Sequence, residues 1–139
     1  MVASLAYLAT RPDAVKTAIL SDMLELGERS YEAHLSLVGP VIDAGITRLV
    51  TIGTMMADQL GARLPSEIEV VSFDTAEELC TELVSHPAQL LGTSSVVLIK
   101  GSHGSGAHSV ASTLTALGAH PSYNVAANNS EEGITPNAA

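Results

Sequence analysis

Apolar and polar positions along this chain follow two periods, and the alternation between them predicts the elements. Continuous apolar runs stand at Lys16-Thr17-Ala18-Ile19-Leu20, Arg48-Leu49-Val50-Thr51-Ile52, Ile68 to Phe73 and Ser95 to Ile99. Runs of this length and β-branched content read as strands buried on both faces. Between them the period lengthens to that of a helix. One helix is predicted from about Glu28 to Ala44, with Ala33, Leu37, Val38, Val41 and Ile42 on its apolar face and Gly45 as its stop. Pro40 lies inside that span and predicts a kink or a division. Gly53-Thr54 opens a short helix through Met55, Met56 and Leu60. Asp74-Thr75 with Glu77-Glu78 reads as a cap and acidic first turn of a helix running to about Ser85, where His86-Pro87 breaks it. Ala107 to Leu117 forms the next helix, and Met1 to Thr10 a first one with Leu5 and Leu8 facing the core.

Strand and helix alternating four times define an α/β chain. The expected architecture is a three-layer Rossmann-like domain, a mostly parallel sheet with helices on both faces. Right-handed crossovers then bring every strand's carboxyl end to one rim. Asp22, Gly53, Asp74 and Lys100 with Ser102 all fall there. The organisation expected is an N-terminal helix and linker remnant over residues 1–15, the α/β domain over 16–126, and a disordered tail over 127–139. That tail, rich in Ala, Asn, Ser and Glu, has little to bury.

Composition narrows the function classes. With 139 residues and a hydrophobic fraction of 46% the chain can build one core, but only 3% is aromatic, so Leu, Val, Ile and Ala must fill it. A formal charge of −9 from 15 acidic and 6 basic residues argues against nucleic acid and anionic membranes as partners. The apolar start has no basic flank and is too short to span a bilayer. Cys80 is the only cysteine, placed beside Leu79 in a helical pattern as a small core residue, and a reducing, cytoplasmic setting is expected.

The chemistry concentrates in Val96-Val97-Leu98-Ile99-Lys100-Gly101-Ser102-His103-Gly104-Ser105-Gly106. A strand ends at a lysine, passes through a glycine-rich turn and opens a helix. Glycines let the backbone approach a ligand, the first helical N–H groups face outward as anion donors, and Lys100 adds a positive charge. The plain alternative is a tight turn with a surface lysine. No Gly-x-x-x-x-Gly-Lys-[Ser/Thr] occurs, so the chain carries no self-contained P-loop. The turn is an irregular version of a dinucleotide fingerprint, follows the last clear strand instead of the first, and has no acidic partner downstream. Asp22, Asp74 and Lys100 suggest a phospho-receiver, but Ser21-Asp22 lacks the paired acids that magnesium needs. His34, His86, His103, His108 and His120 match no metal-ligand spacing, so no metal site is expected. His103, inside the turn, is the one placed to hydrogen-bond a carboxylate or phosphate.

Ile19-Leu20-Ser21-Asp22-Met23-Leu24-Glu25-Leu26-Gly27-Glu28, followed by Ser30 and His34, resembles the segment that opens the C-terminal domain of the Mur ligases, most of all those of the MurF kind. Val97-Leu98-Ile99-Lys100-Gly101-Ser102 resembles the same domain's second motif, in order and at matching spacing over about residues 1–118. Two positions depart from the pattern: His103 stands where arginine is common, and Ser21 where glycine precedes the aspartate.

The resemblance implies a substrate-positioning domain of an ATP-dependent peptidoglycan-precursor amide ligase, one that joins D-alanyl-D-alanine to UDP-N-acetylmuramoyl-tripeptide. It implies that Lys100, Gly101, Ser102, His103 and Asp22 serve substrate binding, with no catalytic residue within these 139. ATP and magnesium would be held by a central ATPase domain absent from the sequence, and the chain would bind neither by itself. On this reading it is an excised domain or a truncated product, inactive alone. The alternative from another class is a stand-alone, non-catalytic Rossmann-like binding or interaction module.

Overall fold

A computed structural model describes residues 1–11, 14–24, 27–92, 94, 96–118, 120–122 and 132–135, with backbone alone at 103, 120–122 and 132–135. Four parallel strands, β1 (Lys16–Ser21), β2 (Arg48–Ile52), β3 (Glu69–Phe73) and β4 (Val96–Lys100), lie in the order β3-β2-β1-β4. Every residue of β1 and β4 is buried, as their unbroken apolar runs require of strands covered on both faces. At the edge, β3 is only partly covered.

Alternation along each strand divides the core in two. Ala18, Leu20, Leu49, Val96 and Leu98 face one side and pack with Leu5 and Leu8 of α1 (Val2–Ala9), Val41 of α3 (Val38–Asp43) and Met56 of α4 (Thr54–Gln59). Ile19, Val50, Ile52, Val97 and Ile99 face the other. They meet Leu79 and Leu83 of α5 (Ala76–Ser85), Leu90 of α6 (Pro87–Leu91) and Val110 and Leu114 of α7 (Ala107–Ala116). The chain is therefore the three-layer Rossmann-like α/β arrangement its pattern implies. The first helix packs on the core through Leu5 and Leu8, both buried, as its pattern predicts. Cys80 packs against the second cluster as a small apolar residue.

The helix expected over 28–44 is three pieces: a 3-10 turn at Gly27–Arg29, α2 (Ser30–Leu35) and α3. Pro40 divides it upstream of itself. Its nitrogen cannot donate to the Ser36 carbonyl four residues back, and its ring crowds that carbonyl, so the break falls at Ser36 and Leu37.

A second difference lies at the end of the chain. Residues 132–135, expected in a disordered tail, form β6 (Glu132–Thr135), antiparallel to β4 with Val97 opposite Ile134 and Ile99 opposite Glu132. A further strand, β5 (His120–Ser122), pairs antiparallel with β6. The reason is the open edge: without β6, β4 would present a row of unpaired backbone groups, and Ile134-Thr135 is β-branched enough to supply a partner. The remaining tail positions, 127–131 and 136–139, lie outside the described residues.

At the amino ends of the strands, Lys16 is buried and its Nζ donates to the carbonyls of Leu8 at 2.7 Å and Ala44 at 2.8 Å. One cation thus closes the carboxyl ends of α1 and α3, where helix carbonyls lack partners and cations are favoured. Lys16→Met keeps the buried stem but takes the charged donor from both carbonyls, of which Leu8's still accepts the Arg11 N–H at 3.0 Å. It should lower the unfolding free energy by about 1.5–3 kcal/mol, the range for hydrogen bonds to a charged group; urea denaturation measures this, and an unchanged midpoint would refute the role.

Candidate functional site

The register fixes the rim: Ser21 lies level with Ile52, Ile52 with Phe73, and Leu20 with Lys100. Just beyond these positions the chain turns four times, and the turns are tied to one another. Asp22 N–H donates to the Ile52 carbonyl at 2.9 Å and Gly53 N–H to the Phe73 carbonyl at 2.8 Å, so the ladder continues past the strands.

Asp22 is held by α4. Its carboxylate accepts the N–H of Met56 at 2.7 Å and of Met55 at 3.3 Å, capping from another strand a helix whose own N-cap residue is Gly53. Gly53 has φ +101°, and a Cβ there would meet the Asp22 carboxylate at 2.4 Å. Only glycine allows both the conformation and the approach.

His34, buried on α2, explains why the motif carries it. Nδ1 lies 2.6 Å from the Ser30 carbonyl and Nε2 accepts the N–H of Met23 at 2.9 Å. Since Nε2 accepts, the proton is on Nδ1 and the ring is neutral. Its 4.0 Å approach to Asp22 Oδ1 is accordingly not an ion pair. The histidine acts as a pin for the loop after β1. In the sequence it stood out as a motif letter and as one of five histidines matching no metal-ligand spacing; the polar ring at an otherwise helical, core-facing spacing was the signal for its burial. Glu25 and Leu26 of that loop lie outside the described residues.

The glycine turn joins this loop directly. Leu24 N–H donates to Ser102 Oγ at 2.7 Å, and Ser21 Oγ donates to Ser105 Oγ at the same distance. Gly101 is glycine for a steric reason: a Cβ there would sit 1.7 Å from Ser21 Oγ. Gly106, at φ +84°, starts α7 against α5, and a Cβ would lie 2.5 Å from that of Ala76.

Lys100 is only 7% exposed, which removes the reading of a surface lysine. By strand alternation its stem lies on the face of Leu98, and Leu20 stands beside it on β1. His103 belongs to the 3-10 turn His103–Ser105, and its side chain lies outside what the structure describes. So Asp22 and the consecutive Lys100, Gly101 and Ser102, distant from it in sequence, share one rim.

The helix starts on this rim differ in one respect that matters for a ligand. Asp22 fills the start of α4, and Thr75 Oγ1 accepts Glu78 N–H at the start of α5, with Glu77 and Glu78 in its first turn. The start of α7 has no side-chain cap and no acidic residue in its first turn. Of these three starts, the positive helix-terminal potential is offset at α4 and α5 and not at α7. Among the described residues no three His, Cys, Asp or Glu side chains group as a metal site. Nor is any described helix long and apolar enough to cross a membrane.

A parallel α/β domain with its polar residues gathered at the carboxyl rim is the class that fold and site define. No family model matches the chain. A UDP-N-acetylmuramoyl-tripeptide--D-alanyl-D-alanine ligase of Rickettsia prowazekii (strain Madrid E) is 38% identical over 104 residues, 75% of this chain and 22% of that protein. Over that stretch the chain is similar to this ligase, and it spans under a quarter of the ligase's length.

Two substitutions test the local geometry. Gly53→Ala should cost about 1–3 kcal/mol of stability, from the strained φ and the displaced Asp22 carboxylate; thermal unfolding reads it. Gly101→Ala should be comparably damaging through the clash with Ser21. The double variant Ser21→Gly/Gly101→Ala should recover about half of that loss, because the two residues share one space. Strict additivity in this cycle would show that they do not.

Proposed function

We propose that this chain is the C-terminal, substrate-positioning domain of an ATP-dependent ligase that adds D-alanyl-D-alanine to UDP-N-acetylmuramoyl-tripeptide. The observation that carries the reading is the 38% identity over 104 residues to a ligase of that name. Local geometry supports it: the two motif segments meet at Leu24 and Ser102, beside the start of α7, which has no side-chain cap.

On this reading the glycine turn receives the dipeptide. Its carboxylate needs hydrogen-bond donors and positive potential, which Lys100, Ser102, His103 and the first N–H groups of α7 supply. Anchoring that end orients the amine for attack on the activated carboxyl of the tripeptide, and the gain is chiefly one of orientation. Asp22 contributes by fixing the Met23 to Gly27 loop on the face that closes over the reacting groups. The residues present do not suit ATP or magnesium. The sequence has no P-loop, and no carboxylate cluster stands among the described residues. Activation of the carboxyl therefore belongs to a central ATPase domain, and these 139 residues should not turn over ATP by themselves. On this reading, a reaction that consumes ATP and a UDP-sugar belongs to the cytoplasm.

In a complete ligase carrying this domain, Lys100→Met retains the buried stem and removes the charge. The expected result is a fall in kcat/KM for the dipeptide of about 5- to 150-fold, or about 1–3 kcal/mol, with KM for ATP unchanged. Unaltered kinetics together with a large drop in Tm would make the lysine structural and overturn the assignment.

A further inference from the structure

We infer that Ser21 and Ser105 are positioning residues of the glycine turn, which hold the hydroxyl of Ser102 so that its proton is presented to the carboxylate of a small ligand. The identity of that ligand rests on the function proposed above; the positioning itself rests on hydrogen-bond direction.

Ser21 Oγ donates to Ser105 Oγ at 2.7 Å, and Ser105 Oγ donates in turn to the Ser102 carbonyl, which also accepts the Ser105 N–H at 2.9 Å. The hydroxyl protons of Ser21 and Ser105 are both used in this sequence of bonds. On its other side Ser102 is held by Leu24, whose N–H donates to Ser102 Oγ at 2.7 Å. An oxygen that accepts there keeps its own proton as a donor, directed away from the Leu24 nitrogen. Ser102 is therefore fixed twice, through its carbonyl by Ser105 and through its hydroxyl by Leu24.

The anchor of the chain is rigid. Ser21 is the last residue of β1, 1% exposed and paired with Ile52. Its Oγ occupies the space that a Cβ on Gly101 would need, so the turn rests directly on the strand. Successive hydroxyls donating in one direction polarise each other and sharpen the geometry at the end of the series. A donor held in this way suits a carboxylate oxygen better than one on a mobile loop, because less ordering remains to be done on binding.

The test uses the 139-residue chain with Ser21→Ala, Ser105→Ala and, as the conservative variant, Ser105→Thr. Amide hydrogen exchange at Leu24 is measured together with a D-alanyl-D-alanine titration followed at the amides of Ser102 and Ala107. Both alanine variants should speed exchange at Leu24 about tenfold, leave exchange within β1 to β4 unchanged, and weaken dipeptide binding about fivefold. Ser105→Thr should behave as the unaltered chain. Unchanged exchange at Leu24, or a uniform acceleration across the sheet that marks general destabilisation, would overturn the inference. If Leu24 responds as expected while the unaltered chain shows no dipeptide-dependent shifts, the substrate reading fails and the positioning of Ser102 stands.

Discussion

The carboxylate of Asp22 is the contact on which the working rim depends. It reaches from the end of β1 to the first turn of α4, beyond β2, and takes two backbone N–H groups that no side chain of its own helix caps. A charged acceptor on orphan helical donors is among the stronger local hydrogen bonds. Its demands spread outward. Gly53 must be glycine so that the carboxylate can approach, and the loop after β1 must leave at one angle, which His34 enforces through Met23. With that loop in place, Leu24 meets Ser102 and the glycine turn is located. Removing Asp22 would thus release three segments and not only one cap.

The opposite rim solves the complementary problem with the opposite charge. Helices α1 and α3 end there, and Lys16 donates to one carbonyl of each. Arg48 does the same for α6, donating from Nη1 to the Leu90 carbonyl at 2.6 Å while its other nitrogens meet Glu69. In a chain with only 6 basic residues, two are spent inside the fold on helix carboxyl ends. Little cationic charge is left for the surface, and Lys100 is a further cation buried within the fold, at the carboxyl rim.

The layers and the strands were legible because both depend on patterning that a single sequence displays. Runs such as Val96 to Ile99 have one low-energy place in an α/β fold, and the Thr75 cap with Glu77 and Glu78 marks its helix start without ambiguity. Less legible was anything set by a distant partner. Pro40 announced a break, but its location follows from the carbonyl four residues upstream. The strand at Glu132 to Thr135 carries hardly any apolar signal, since what recruits it is the open edge of β4. Asp22 read as a site residue, and its carboxylate is engaged by α4, a fact that no local window contains.

The same limit applies with more force to the hydroxyls. Ser102 and Ser105 are ordinary letters in a small-residue turn and Ser21 a strand-end residue that departs from the motif; of the three only Ser102 read as a site residue. What distinguishes the other two is that β1 and the glycine turn, about eighty positions apart in the chain, are adjacent in the sheet; Leu20 and Lys100 are register partners. Adjacency makes the hydroxyl of Ser21 a donor to Ser105 and makes its bulk a reason for Gly101. A polar group at a strand end and a glycine on the neighbouring strand end are thus one feature written in two places. The glycine cannot be interpreted by its freedom of φ alone, because at Gly101 it is space and not backbone conformation that excludes a side chain. For a rim built this way, the position of each polar group is decided by pairs across strands, and the turn residues are held only as well as those pairs hold them.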